Sequence, residues 1–81
     1  MTSAEVRWIA FEAVARIYRV DVEWLLRAED LGVLPNVERR AGTALLPADD
    51  LDRVAAAVRW HLHFGVDLDV IAALLSEVPR R

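Results

Sequence analysis

Few side chains in this sequence could do chemistry. His61 and His63 stand two positions apart, aspartates cluster at Asp49, Asp50 and Asp52, and serine occurs only at Ser3 and Ser76. On a helix, positions i and i+2 point about 200° apart, so the two histidines do not share one ion as an i, i+4 pair can. The aspartates lack the Gly-spaced loop and closing glutamate of a calcium hand, and they suit the first turn of a helix. There is no cysteine and no lysine, and no nucleophile stands near a base. No glycine-rich loop of the phosphate-cradling kind is present. The expectation is a non-enzymatic protein with no metal and no cofactor.

A chain without reactive groups can still offer a surface. Ten arginines against thirteen acids give a net charge of −3, which argues mildly against nucleic acid as the main partner. Apolar residues make up 56% of the 81 positions, enough to build a core and too many for a disordered segment. No apolar run approaches the roughly 20 residues of a membrane span, and no signal-peptide pattern opens the chain. The lack of cysteine suits a reducing compartment. These features predict one cytoplasmic domain over residues 1–81 with no membrane partner.

Glycine and proline divide the chain into elements. Arg7-Trp8-Ile9 reads as a short extended lead-in. Phe11, Val14, Ala15 and Tyr18 recur at i, i+3, i+4 and i+7, which predicts a helix with one buried face, ending near Arg19. Asp21 reads as the N-cap of a second helix, with Glu23 in its first turn, Val22, Leu25 and Leu26 as apolar positions and Gly32 as the stop. Helix, short turn, helix is the helix-turn-helix signature. Two apolar runs, Val33–Val37 and Thr43–Leu46, surround a polar tip from Glu38 to Gly42 and predict a hairpin, or wing. Pro47 and Asp49-Asp50 open a long helix that reaches Phe64, with Leu51, Val54, Ala55, Val58 and Leu62 in one stripe. Gly65 ends it, Asp67 caps a last helix carrying Leu68, Ile71, Ala72, Leu75 and Val78, and Pro79 closes the chain. The predicted fold is mainly α, four helices and a short β-hairpin wing. Its expected core is Phe11, Val14, Leu25, Leu34, Leu51, Val54, Val58, Leu62, Ile71 and Leu75.

Phe11-Glu12-Ala13-Val14-Ala15-Arg16, then Val20, Leu25 and Leu31-Gly32-Val33-Leu34, resemble the N-terminal half of a MerR-type winged helix-turn-helix. Gly42 through Leu46, followed by Asp49-Asp50-Leu51 and Val54, resemble that family's wing and next helix. Arg59 and Phe64-Gly65-Val66-Asp67-Leu68, with Ile71 and Leu75, resemble its final helical pair. The resemblance covers residues 8 to 78. Within the superfamily the chain is most similar to the small chaperone modulators of the CbpM and DafA type. The Gly-Val-Asp-Leu junction before an Ala/Leu-rich helix, the acidic second helix and the short length carry this likeness. Such proteins bind the J domain of a DnaJ- or CbpA-type co-chaperone. CbpM-like members inhibit it, and DafA-like members hold DnaK and DnaJ in one complex. The implied partner is therefore a J domain, with DnaK as a further member of the assembly.

A winged helix-turn-helix ordinarily binds DNA, and a small MerR-like transcriptional regulator is the alternative function. Its second helix would enter the major groove. MerR-type regulators place Arg and Tyr on that helix where this chain has Glu23, Leu26 and Arg27, and Ala44 stands where the wing often carries a base. From Asp21 to Asp30 four acids oppose Arg27 alone, so a phosphate backbone meets repulsion. Read as a protein site, Trp24 and Leu26 supply apolar contact inside a charged rim of Asp21, Glu23, Arg27 and Asp30. The plain alternative has Leu26 in the core and Trp24 covering the hairpin. Arg39 and Arg40 are a secondary contact candidate or a solvated tip. Trp60 shares a stripe with Arg53, Ala56, Ala57 and Phe64, which either packs against the other helices or serves self-association.

Overall fold

The computed structural model describes residues 6–76, so Val78 and Pro79 lie outside the described residues. The elements run β1 (Trp8–Ala10), α1 (Phe11–Tyr18), α2 (Val22–Asp30), β2 (Glu38–Arg40), β3 (Thr43–Pro47), α3 (Leu51–Phe64) and α4 (Leu68–Ser76). A single 3-10 turn, Ala48–Asp50, precedes α3. Among the described residues the fold is mainly helical, with four α-helices and a small antiparallel sheet of order β1-β3-β2.

Each of the first three helices is followed by a residue in the left-handed region, which turns the backbone so that the last carbonyls are met. Gly32 (φ 87°) does this after α2. Its N–H donates to the Glu29 carbonyl at 3.0 Å and that of Val33 to Ala28 at 2.9 Å, the paired bonds of a Schellman motif. After α1 the same place is taken by Arg19 (φ 61°), a conformation that crowds any Cβ. Asp21 precedes α2 as expected, but its carboxylate makes no capping bond. Its carbonyl instead accepts from the N–H groups of Trp24 and Leu25 at 3.0 and 3.2 Å.

The sheet differs from the expectation in two ways. The first hairpin strand is Glu38–Arg40, not Val33–Val37. Pro35 has no N–H to give a ladder, so pairing starts beyond it, and Val33 and Leu34 drop into the core. Glu38, Arg39 and Arg40 face Leu45, Ala44 and Thr43, which leaves Ala41-Gly42 as the whole turn. Both turn residues have positive φ (52° and 79°), the two-residue geometry that matches strand twist. Secondly, the extended lead-in is a true strand: Trp8, Ile9 and Ala10 pair with Pro47, Leu46 and Leu45.

The core gathers Phe11, Val14, Leu25, Leu34, Val54, Val58 and Ile71, with Val33 and Leu46 beside them and Leu51 and Leu75 packed against its edge. Leu62 is not part of it, being 56% exposed. On α3 the inward line is Val54, Ala57 and Val58, and Leu62 lies about 80° round the helix from Val54. The inner place one turn beyond Ala57 belongs to half-buried His61. The acids before α3 also divide: Asp50 is buried and accepts from Asn36 Nδ2 at 3.2 and 3.4 Å, while Asp49 is exposed.

Ile71→Ala should cost about 2–5 kcal/mol of unfolding free energy, whereas Leu62→Ala should change it by less than about 0.5 kcal/mol. Ala41→Asn should add about 1 kcal/mol, because Asn tolerates the left-handed turn position better than Ala. Urea unfolding followed by circular dichroism measures all three.

Candidate partner-binding face

The arrangement follows from how α2 is seated. Leu25 and Ala28 are buried, and Glu23, Arg27 and Asp30 form the exposed stripe opposite, continued by Asp21 before the helix. Half-buried Leu26 and Trp24 stand two positions apart and so leave the helix about 200° from each other. Leu26 turns to the β2–β3 hairpin and Trp24 to the junction of α3 and α4. They therefore do not form one apolar centre; each borders the charged stripe on its own flank. Trp24 does not cover the hairpin. Its ring packs on that of His61, with centroids 5.4 Å apart.

Two ion pairs tie α2 to its neighbours. On one side the Arg27 guanidinium donates to Asp69 of α4 at 3.3 Å, both side chains being well exposed. On the other, Arg39 of β2 donates twice to Glu29, at 2.7 and 2.8 Å, in the fork geometry that suits a carboxylate. The guanidinium hydrogen bond holds the Glu29 carboxyl below its ordinary value, outweighing the upward push of burial. The same bond raises Arg39. Arg39 is thus tied to α2, with its side chain still 52% exposed. Arg40, next along the strand, points to the opposite face of the sheet. There it reaches Glu38 at 3.5 Å and lies over the Trp8 ring, 5.5 Å from its centroid.

Glu29 is the residue that reading the sequence missed. Its place three positions after Leu26 marks it for the hairpin flank, but only the observed register of β2 shows that Arg39 faces it. With Glu29 taken by Arg39 and Arg27 by Asp69, the acids of this face that make no ion pair among the described residues are Asp21, Glu23 and Asp30, although the charge of Asp30 adds to the field that favours protonated Arg39.

A hollow lies on each flank. The hairpin-side groove, ≈ 370 Å³, is floored by Phe11, Val22, Leu26 and Ala44, with Glu12, Arg39 and Thr43 as its polar lining. The cleft on the α4 side, ≈ 270 Å³, is walled by Trp24, His61 and Leu68, with Arg27, Asp67 and Asp69 around them. The Nδ1–H of His61 donates to the Val66 carbonyl at 3.1 Å, which fixes the ring against Trp24. The Trp24 Nε1–H is buried with no acceptor among the described residues. His63 is exposed and separate from this cleft. No three metal-ligating side chains come together among the described residues, and none of their helices is long and apolar enough to cross a membrane. On α3, Trp60 and Phe64 form an exposed ring pair 6.1 Å apart, whereas Ala57 of the same stripe is buried and Arg53 and Ala56 are half-buried, so among the described residues only the C-terminal end of that stripe is left uncovered.

Because the folded-state value of Glu29 is depressed, its contribution to stability is present above the ordinary 4.5 and is lost as the pH falls through the folded value. Glu29→Gln removes that contribution. The stability gap between wild type and this variant should therefore be constant near neutral pH and narrow steadily below about pH 4.5. Urea unfolding across that range measures it; a gap unchanged by acid would show that the pair carries no charge-dependent stability.

No family model matches the chain, and neither a curated protein nor a solved structure matches it, so its function is read from its own residues.

Proposed function

We propose that the chain is a winged helix-turn-helix of the MerR type used for protein recognition. In this reading it is a chaperone modulator that binds the J domain of a DnaJ- or CbpA-type co-chaperone, with α2 as the main contact and the β2–β3 hairpin as the wing. One observation supports this above the others: the exposed face of α2 carries Asp21, Glu23 and Asp30 with no ion pair among the described residues, while Arg27, its one cation, is bound to Asp69. The DNA-reading helix of such a domain must approach phosphate, and this one would repel it. The resemblance of the sequence to CbpM- and DafA-type modulators supplies the partner. The second helix of such J domains is basic, and an acidic α2 complements it.

Opposed charge mainly speeds encounter, while buried apolar contact sets the dissociation rate. Glu23→Arg with Asp30→Arg should slow association with the isolated J domain and weaken its salt dependence, with circular dichroism unchanged. Leu26→Ala should instead raise the dissociation rate, by about 1–2 kcal/mol. Duplex DNA should bind no tighter than about 10⁻⁴–10⁻⁶ M at moderate salt. Wild-type association from the folded double variant, or a nanomolar DNA site, would overturn the reading.

A further inference from the structure

The two flanks of α2 are not equivalent, and the hairpin side has the features of a seat. Its groove has an apolar floor of Phe11, Val22, Leu26 and Ala44. At ≈ 370 Å³ it is near the lower end of small-molecule pockets, about 300 Å³, and suits one or two inserted side chains. Its charged lining is Glu12 and Arg39. Arg39 is held by Glu29 through two bonds at 2.7 and 2.8 Å, so its charge is already answered by a carboxylate, and the carboxylate of Glu12 is left. Along the adjoining face of α2 stand Asp21, Glu23 and Asp30, exposed and without an ion pair among the described residues. The groove therefore accepts apolar groups, and its surroundings accept cations. A basic amphipathic helix presents both from one side, which is the helix-in-groove mode of recognition.

We infer that the groove between α2 and the hairpin seats an apolar side chain of a basic amphipathic partner helix, and that the Glu29–Arg39 pair holds the hairpin as a neutral wall of that seat. The inference rests on the protein-binding reading above and goes further, choosing the hairpin flank over the Trp24 cleft and giving Glu29 a positioning role. Without Glu29 the Arg39 guanidinium would face the incoming helix as a like charge and would be free for phosphate. The pair thus decides which class of partner the surface admits.

The test uses the full chain with two variants. Ala44→Leu fills the groove, and Glu29→Gln frees Arg39; thermal unfolding serves as the folding control for both. Two probes are titrated: the J domain of the host cell's DnaJ-type co-chaperone, and a helical peptide of lysine and leucine with all leucines on one face. A scrambled peptide of the same composition is the control. The expected result is binding of both probes with amide shifts at Leu26 and Ala44. Affinity should fall by about tenfold in Ala44→Leu, as for loss of a buried anchor. Glu29→Gln should bind both probes more weakly and gain retention on heparin, an effect that mere loosening of the fold does not produce. If the J domain fails to bind but the amphipathic peptide occupies the groove, the seat stands and the J-domain assignment falls. If the J domain binds and both folded variants match wild type, the contact lies elsewhere and the seat is refuted. It is refuted equally if neither probe binds, or if the scrambled peptide binds as well as the ordered one. Binding of heparin by wild type as strongly as by Glu29→Gln would refute the part assigned to the pair.

Discussion

Burial of Leu46 at the centre of the sheet constrains the rest of the molecule. β3 is the strand with neighbours on both sides, and on it Leu46 is fully buried while Leu45, on the other face, is half-buried. Side chains change face at every residue of a strand, so a slip of one position would carry Leu46 outward and bring Leu45 in. The loss of a fully buried leucine forbids that slip. The same register sets Arg39 opposite Ala44 and points it at α2. An apolar contact deep in the sheet thereby fixes an ion pair at the surface, and through it the distance between hairpin and helix.

The use of arginine alone among long cations fits this construction. Arg39 grips Glu29 through two nitrogens, Arg53 donates its Nε to the Val33 carbonyl at 3.0 Å, and Arg40 spreads over the Trp8 ring. The Arg39 and Arg40 contacts use the planar fork and the flat face of guanidinium, which an ammonium lacks. With Arg27, four of the eight arginines among the described residues act as braces between elements. The acids of α2 have no such duty apart from Glu29, and this leaves the helix with a negative outer face although the chain as a whole is only mildly acidic.

The helices were readable from the sequence because their signals are local. Apolar spacing gave α1 from Phe11 to Tyr18 and α3 as far as Phe64, and Gly32 and Gly65 marked where helices stop. Errors arose where pairing partners are distant. Val33 and Leu34 look like strand residues, yet Pro35 denies them a ladder and the core takes them. Leu62 continues an i+4 series that the packing surface does not follow. For the candidate face, the acidic stripe of Glu23 and Asp30 was visible in the residues themselves. The separation of Leu26 from Trp24 follows from helix geometry, but the destination of each flank depends on tertiary packing. The Glu29–Arg39 pair needs a strand register that no local pattern specifies.

Pairing of Trp8 with Pro47 joins residues far apart in the order of synthesis. β1 leaves the ribosome well before its partner strand exists. At about 5–20 residues per second, the intervening chain takes a few seconds to make. During that interval α1 and α2 can turn helical, but Ile9 and the inner face they share have no sheet to close against. The sheet therefore closes only after β3 has emerged and the core, which also needs Val54, Val58 and Ile71, only after α4, so a nascent chain stalled in the hairpin would expose the surface that the finished protein hides.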